Sequence, residues 1–318
     1  MTATKLRQVA RTAQSGLGFW AVAFAFTTVM AFTTVPTPLW SGYARRDHFS
    51  SFTVTLVFAA YAVAVALSLF LAGHLSDWYG RRRVLAPALA LNVLAGVVFV
   101  TWPQLPGLFS ARVLSGLGVG ALTATAMAWL AELRPADAGG GRAQVVATAA
   151  NLGGLGLGGL ISGALAQWAG DDALTVPFLV LIGALLLAVL GLLLAPETRA
   201  PRVPRPRYRP QRVSLPRHSR GRFLAAAIAA SITFAIFGLV TSLAPSFLAS
   251  TLHEPSRALA GAVSFAMFAT AALAQSLAGS RRPEQLLPAA ISALLAGVGL
   301  LVLAVWLPSP SFGVLPRG

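Results

Sequence analysis

Residues 73–83 are the stretch of this chain best suited to charge-based chemistry, and they read Gly-His-Leu-Ser-Asp-Trp-Tyr-Gly-Arg-Arg-Arg. One carboxylate, two glycines that can form tight turns and three consecutive arginines stand between two long apolar runs. A carboxylate at a helix end can cap or pair with the positive terminus of a neighbouring helix. The pattern predicts a charged hinge between membrane helices. The alternative is a solvated turn whose arginines only set the topology.

Arg112 is the second charged candidate, because it lies inside an apolar stretch that reads Arg-Val-Leu-Ser-Gly-Leu-Gly-Val-Gly. A guanidinium within a bilayer must find acceptors or water, so we expect it to face the interior of a helix bundle. The alternative is snorkelling, since Arg112 is only about five residues past Gly107 and its head could reach an interface. An interior position would make Arg112 a candidate functional charge, because charges within spans are costly.

Glycines in the later apolar stretches predict close contacts between helices. Gly154 and Gly158 are four residues apart, as are Gly159 and Gly163, so each pair stacks on one helix face and admits a close neighbour. Plain packing and a gating role are both compatible with this spacing. The helix-packing candidates are Gly116, Gly120, Gly154, Gly158, Gly159 and Gly163.

Polar residues inside apolar stretches could line a cavity for a solute, although Ser and Thr there more often bond a backbone carbonyl. The cavity candidates are Thr27, Thr34, Thr123, Gln144, Asn151 and Thr233. Enzyme chemistry finds little support, because the charged groups cluster at the boundaries of the apolar stretches. The chain has no cysteine, which excludes disulfides and Cys-based metal sites. We expect no enzyme activity, no metal and no cofactor, with proton coupling left open.

The elements that position these residues must be membrane helices. Of 318 residues, 56% are hydrophobic and 10% charged, against about 25% charged in soluble domains. Helices are the expected form, because lipid offers no partners to an open strand. The fold prediction is an all-α, polytopic membrane protein. Nine spans are predicted, at about 17–40, 52–74, 84–102, 107–131, 143–168, 174–195, 223–249, 258–279 and 286–307.

Basic residues predict the orientation of these spans. With the N-terminus in the cytoplasm, nineteen of the 24 Lys and Arg residues fall on the cytoplasmic side and four on the other. This asymmetry is a strong positive-inside signal. We therefore expect a multi-pass protein of the cell membrane with a cytoplasmic N-terminus. The net charge of +15 does not indicate nucleic-acid binding, because the basic residues lie in short loops and not on one face.

A linker rich in Pro and Arg divides the chain into two parts. We predict a six-helix transmembrane bundle over 1–196, a basic cytoplasmic linker over 197–222 and a partial bundle of about three spans over 223–318. The expected partners are the lipid bilayer and a small solute, and the sequence leaves the oligomeric state open.

Several of these motifs resemble those of the major facilitator superfamily of transporters. The loop between its second and third spans reads roughly Gly-x-Leu-small-Asp-basic-x-Gly-basic-basic, which residues 73–83 match except that Trp78 replaces a basic residue. The family's Arg-x-x-Gln-Gly-x-Gly pattern occurs at Arg112 with Ser115 in place of Gln. The fifth span is similar to the family's antiporter signature but lacks its proline. Pro196-Glu197-Thr198 follows the sixth span, as in the family.

The resemblance implies two six-helix bundles that rock around a midplane site and expose it to each side in turn. It implies that the loop latches the two halves in one state, with Asp77 meeting the second half, and that Arg112 takes part in coupling. The latch residues would be Gly73, Asp77, Gly80, Arg81, Arg82 and Arg83.

Only three spans follow the linker where the family has six, so the sequence suggests a chain shortened by about three spans. The leading expectation is a permease or efflux transporter of a small organic solute, with drug-like compounds as candidates. The alternative is a non-transporting membrane protein that acts as a sensor or scaffold, or that has no activity.

Overall fold

The computed structural model describes residues 3–134, 141–201 and 256–278, together with residue 208 and helical positions within 220–238 and 288–299. Within these residues the regular structure is helical throughout and contains no strand. The predicted all-α fold is confirmed.

Ten α-helices are numbered here in chain order. Their bounds are α1 (Ala3–Thr34), α2 (Trp40–Asp47), α3 (Ser51–Ala72), α4 (Leu75–Tyr79), α5 (Arg81–Thr101), α6 (Leu105–Leu133), α7 (Gly141–Thr148), α8 (Gly154–Trp168), α9 (Val176–Gly191) and α10 (Arg257–Ala278). A π-helical turn, Ala149–Gly153, joins α7 to α8. Short 3₁₀ turns occupy Thr37–Leu39, Gly170–Leu174 and Leu192–Leu194.

Seven helical stretches among the described residues are long and apolar enough to cross a membrane. They are Gly16–Asp47, Phe52–Tyr79, Arg81–Thr101, Leu105–Leu133, Arg142–Trp168, Val176–Leu194 and Arg257–Leu277. Each overlaps a predicted span, so seven of the nine predicted spans are found. The other two, 223–249 and 286–307, contain the shorter apolar helices Phe223–Gly238 and Pro288–Gly297 and otherwise lie outside the described residues.

Local sequence explains where several helices begin and end. The Ser50 hydroxyl accepts a hydrogen bond from the Thr53 amide (3.3 Å) and caps α3. Proline stands in the first turn of α6 and of α9, where its missing N–H costs nothing. Pro36 and Pro38 follow the end of α1 and turn the chain through a 3₁₀ segment into α2.

The first six spans pack around α6 and α1. Helix α6 contacts both α3 and α5, and α1 contacts α6, α8 and α9. The rings of Phe32, Phe99 and Phe178 meet where α1, α5 and α9 come together, with 4.5 Å between the stacked centroids of Phe99 and Phe178. Aromatic packing of this kind fixes the relative positions of the helices. By its internal contacts the chain divides into Met1–Ala272 and Leu273–Gly318. Among the described residues, the second unit holds the end of α10 and the helical positions 288–299.

Candidate functional site

The turn between α4 and α5 buries an arginine among three polar partners. The Arg81 side chain is only 4% exposed, and its Nη2 lies 2.8 Å from Asp77 Oδ1 and 2.7 Å from Glu132 Oε1. Its Nη1 donates to Ser76 Oγ at 2.6 Å. A buried guanidinium must be fully partnered to be tolerated, and Arg81 has hydrogen bonds on three of its nitrogens.

Glu197, which follows α9, caps the start of α5. Its carboxylate oxygens accept the backbone N–H groups of Arg81 (2.8 Å) and Arg82 (3.0 Å). The first N–H groups of a helix lack partners inside the helix and carry partial positive charge, so a carboxylate is favoured there. Gly80 permits this approach in two ways. Its φ of +98° is a backbone conformation that residues with a side chain rarely adopt. A Cβ at this position would also lie only 2.9 Å from Glu197 Oε2.

Glu132, in the last turn of α6, joins a third segment to this turn. Besides Arg81, it accepts hydrogen bonds from Arg199 Nε (3.3 Å) and from the Thr198 hydroxyl. Arg82 donates to the carbonyls of Leu193 (3.1 Å) and Ala195. We call this set the loop-end network: Ser76, Asp77, Arg81, Arg82, Glu132, Glu197, Thr198 and Arg199. It connects the turn after α3, the end of α6 and the segment after α9, and we call this side of the bundle the loop end.

Among the described residues, Asp77 pairs with Arg81, one helical turn away. The contact with the second half of the molecule that the family resemblance implied stays a prediction. Sequence reasoning also overlooked Glu132. The signal that could have found Glu132 is its place at the end of one apolar span, because arginines of opposite charge lie at the end of another span.

A groove of about 450 Å³ lies beside the loop-end network. Its walls are mostly apolar and come from α3, α4, α5 and α6, with Tyr79 and Arg83 as its main polar side chains. The lining residues are Ala72, Leu75, Tyr79, Arg83, Val84, Pro87, Ala88, Leu91 and Ala121. Of the predicted latch residues, Arg83 thus borders the groove, while Gly73 lies at the end of α3.

Arg112 lies on α6 among the packed helices and is 1% exposed. Its Nη1 donates to the Thr33 carbonyl at 2.8 Å, and its guanidinium carbon lies 4.2 Å from the ring centroid of Tyr61 and 4.7 Å from that of Phe58. Its Nε has no hydrogen-bond partner. No ion pair is found for Arg112 among the described residues. The interaction with two aromatic faces offsets part of the cost of burying its charge.

The glycines of the fifth span face two different helices. A Cβ at Gly154 would lie 2.7 Å from Met30 Cβ, and one at Gly158 would collide with the Ala31 carbonyl, so this pair faces α1. On the other side, a Cβ at Gly159 would lie 3.1 Å from Ser264 Cβ, and one at Gly163 would collide with the Arg257 carbonyl. The second pair therefore faces α10.

The earlier glycine pair acts in the same way within the first bundle. A Cβ at Gly116 would lie 2.6 Å from the Tyr61 carbonyl oxygen, and one at Gly120 would lie 2.6 Å from that of Val65. Small residues here allow α6 to contact the backbone of α3.

At the end of the bundle opposite the loop end, α8 and α10 are also joined by hydrogen bonds. Gln167 Oε1 accepts the Arg257 amide at 2.9 Å, and Arg257 Nη1 donates to the Ala166 carbonyl at 3.0 Å. The Gln167 side chain thereby caps the first turn of α10, which would otherwise present an unpaired N–H group. Sequence reasoning overlooked both residues.

The predicted cavity residues have mainly local partners. The hydroxyls of Thr27 and Thr123 donate to carbonyls one turn earlier, at 2.9 and 2.8 Å, and Thr34 donates to the Leu155 carbonyl of α8 at 2.7 Å. Gln144 is exposed, and Asn151 is partly buried in the π-helical turn. Thr233 lies outside the described residues. Within the described part of the chain, no group of three or more His, Cys, Asp or Glu side chains could hold a metal ion.

Known proteins resemble this chain in sequence and in structure. A stretch of 93 residues is 31% identical to the bacillibactin exporter of Bacillus subtilis strain 168, which is 28% of this chain and 23% of the exporter. A bacterial homologue of the human lysosomal transporter Spinster superposes with a TM-score of 0.64 at 18% identity, over 84% of this chain and 62% of its own. The human organic anion transporter MFSD10 (TETRAN) has a TM-score of 0.58 at 19% identity, over 82% of this chain and 71% of its own.

These structural likenesses show a shared fold, while the sequence profile shows the family. The chain spans less than two thirds of the length of the Spinster homologue and matches a smaller part of the exporter. The profile of the Major Facilitator Superfamily matches residues 17–316, nearly the whole sequence. The expected resemblance is therefore confirmed: the chain is a multi-pass membrane protein that belongs to the Major Facilitator Superfamily.

Proposed function

We propose that this chain moves a small organic solute across the membrane by alternating access. The observation that carries the proposal is the contact between α8, in the predicted first bundle, and α10, in the predicted second one. Gly159 and Gly163 bring the two helices together, and the Gln167 cap on Arg257 closes their ends. Two bundles that meet through small residues and few hydrogen bonds can separate and re-form that contact at low cost.

The arginine distribution supports a loop end that faces the cytoplasm. In that orientation, the contact between α8 and α10 closes the outer side of the molecule. The state described here then corresponds to closure toward the outside, and transport requires a second state in which Gln167 leaves Arg257. The described contacts of the loop-end network lie within residues 76–82, 132 and 193–199, so on the cytoplasmic side it would supply the first bundle's half of the latch.

Arg112 is the best candidate in the described residues for a charge that senses solute or a coupled ion. Its guanidinium is buried against Tyr61 and Phe58, and its Nε is unpartnered. Intramembrane charges are costly and commonly serve function. The local match to an exporter favours efflux as the direction of transport.

Flux in proteoliposomes tests the proposal. Purified protein would be reconstituted and offered two probes, bacillibactin and the fluorescent cation ethidium, with and without a proton gradient. We expect flux of at least one probe, and a lower flux in Asp77→Asn with unchanged membrane insertion. A chain that inserts and folds but moves neither probe under either condition would contradict the proposal and favour the non-transporting alternative.

A further inference from the structure

Trp78 departs from the family pattern, and the structure shows what this side chain contacts. Its ring meets the His74 ring edge-on, with 4.5 Å between centroids. A second aromatic contact of His74 among the described residues is Tyr208 of the linker, whose ring stacks on it at 6.0 Å and 27°. Three aromatic rings from two distant parts of the sequence thus form one cluster at the loop end, with Tyr208 stacked on His74 and Trp78 edge-on to it.

The His74 ring serves here as a flat contact surface. Both of its nitrogens are buried, and neither has a hydrogen-bond partner. A basic residue at position 78, as the family usually has, would replace this aromatic contact with a charge beside the imidazole. Trp78 instead covers one edge of the ring with apolar surface.

Tyr208 adds a hydrogen bond to the ring contact. Its hydroxyl donates to the Leu71 carbonyl at 3.2 Å. Leu71 is in the last turn of α3, where backbone carbonyls lack partners within the helix. A tyrosine supplies both the flat ring for His74 and the donor for this carbonyl, which neither phenylalanine nor a hydroxyl-bearing aliphatic residue can do.

We propose that Leu71, His74 and Trp78 form a docking platform for the linker of this same chain, with Tyr208 as its anchor. The anchor holds Tyr208 of the linker against the end of α3 and against His74, which precedes α4. This inference stands on the contacts of these four residues and is independent of the proposed solute transport.

Trypsin digestion of the full-length protein in detergent tests the docking. The anchor is preceded by Arg207, so the bond between Arg207 and Tyr208 is a tryptic site at the anchor itself, whereas Arg205 and Arg209 precede proline and are poor sites. The bond after Arg217 serves as the internal reference. We expect the ratio of cleavage after Arg207 to cleavage after Arg217 to rise about two- to tenfold in His74→Ala and in Trp78→Ala, as loss of an aromatic contact predicts.

Trp78→Phe is the matched control, because it keeps an aromatic ring against His74 and should leave the ratio near that of the unaltered protein. Size-exclusion profiles of each variant show whether the fold is retained. An unchanged ratio in both alanine variants, or an equal rise in Trp78→Phe, would overturn the platform.

Cross-linking gives a second measurement that does not depend on proteolysis. Because the chain has no cysteine, Leu71→Cys combined with Arg209→Cys creates the only thiol pair. This pair keeps the rings of His74, Trp78 and Tyr208, and Leu71 contributes only its backbone carbonyl to the contact. We expect a short bifunctional thiol reagent to join the two within one molecule, seen as a linked peptide pair by mass spectrometry. Failure to cross-link when both single-cysteine variants react with a monofunctional reagent would contradict the docked position of Tyr208.

Discussion

Arg81 shows how one buried side chain can hold three segments of a membrane protein together. Its guanidinium bonds Ser76, Asp77 and Glu132, while its backbone N–H is capped by Glu197. These contacts come from three segments: α4 supplies Ser76 and Asp77, the end of α6 supplies Glu132, and the segment after α9 supplies Glu197. Loss of a single acceptor would leave a buried charge partly unpaired, which costs more than the loss of a surface ion pair.

Glu132→Gln should therefore destabilise the protein by about 1–3 kcal/mol, the range for leaving a buried hydrogen-bonding group without its partner. The amide keeps the size of the side chain but removes its charge from Arg81 and Arg199. The measurement is thermal unfolding in detergent, monitored as the loss of soluble monomer with rising temperature. Asp47→Asn is the control, because Asp47 lies at the same 2.7 Å from its arginine, but that arginine, Arg46, is 39% exposed whereas Arg81 is 4% exposed. Equal effects of the two substitutions would contradict the structural role of Glu132.

Arg112→Ala should impair solute flux, while Arg112→Lys should retain part of it. Lysine keeps the charge but cannot place a planar guanidinium over the rings of Tyr61 and Phe58. Flux at several imposed proton gradients separates binding from coupling, because a coupling defect changes the dependence on the gradient. If Arg112→Ala transports solute at the normal rate and its flux depends on the proton gradient in the normal way, the buried arginine only fills space.

At the scale of helices, the sequence predicted where the helices lie along the chain better than it predicted which helices contact one another. Apolar run length predicted seven spans to within a few residues, except where helical structure continues to Asp47 and Tyr79 beyond the apolar cores. The π-helical turn at Ala149–Gly153 was not predicted, because no residue type marks it. Glycine spacing predicted close contacts between helices, but it could not say that one pair faces α1 and the other α10.

Gly163→Ala tests the contact of α8 with α10, because its added Cβ would collide with the Arg257 carbonyl. We expect the two helices to separate and the buried Ser264 position to become accessible. The readout is the rate at which a thiol reagent labels Ser264→Cys, with and without Gly163→Ala, in a chain that has no other cysteine.

Gly153→Ala is the matched control for this prediction. Gly153 lies in the preceding π-helical turn, and a Cβ there would have no atom within 4 Å. Ser264→Cys should be labelled at the same rate with Gly153→Ala as without it. If Gly163→Ala labels no faster than Gly153→Ala, the contact between α8 and α10 does not depend on a glycine at this position.

For the whole molecule, family and fold were predictable because the motif of residues 73–83 and the apolar runs are local features of the sequence. The partners of that motif were not, since Glu132 and Glu197 are 51 and 116 residues away from Arg81. Long-range pairing of this kind depends on how the helices are arranged. The division of the chain at the linker remains a prediction from composition.

Which end of the molecule faces the cytoplasm decides the role proposed for each end. Ala200 is exposed at the loop end and Asp171 is exposed at the opposite end. Since the arginines cluster at the loop end, we expect that end to face the cytoplasm. In intact cells, a membrane-impermeant thiol reagent should label Asp171→Cys, whereas Ala200→Cys should react only after permeabilisation. The reverse pattern would place the loop-end network outside, and the contact between α8 and α10 would then close the cytoplasmic side instead.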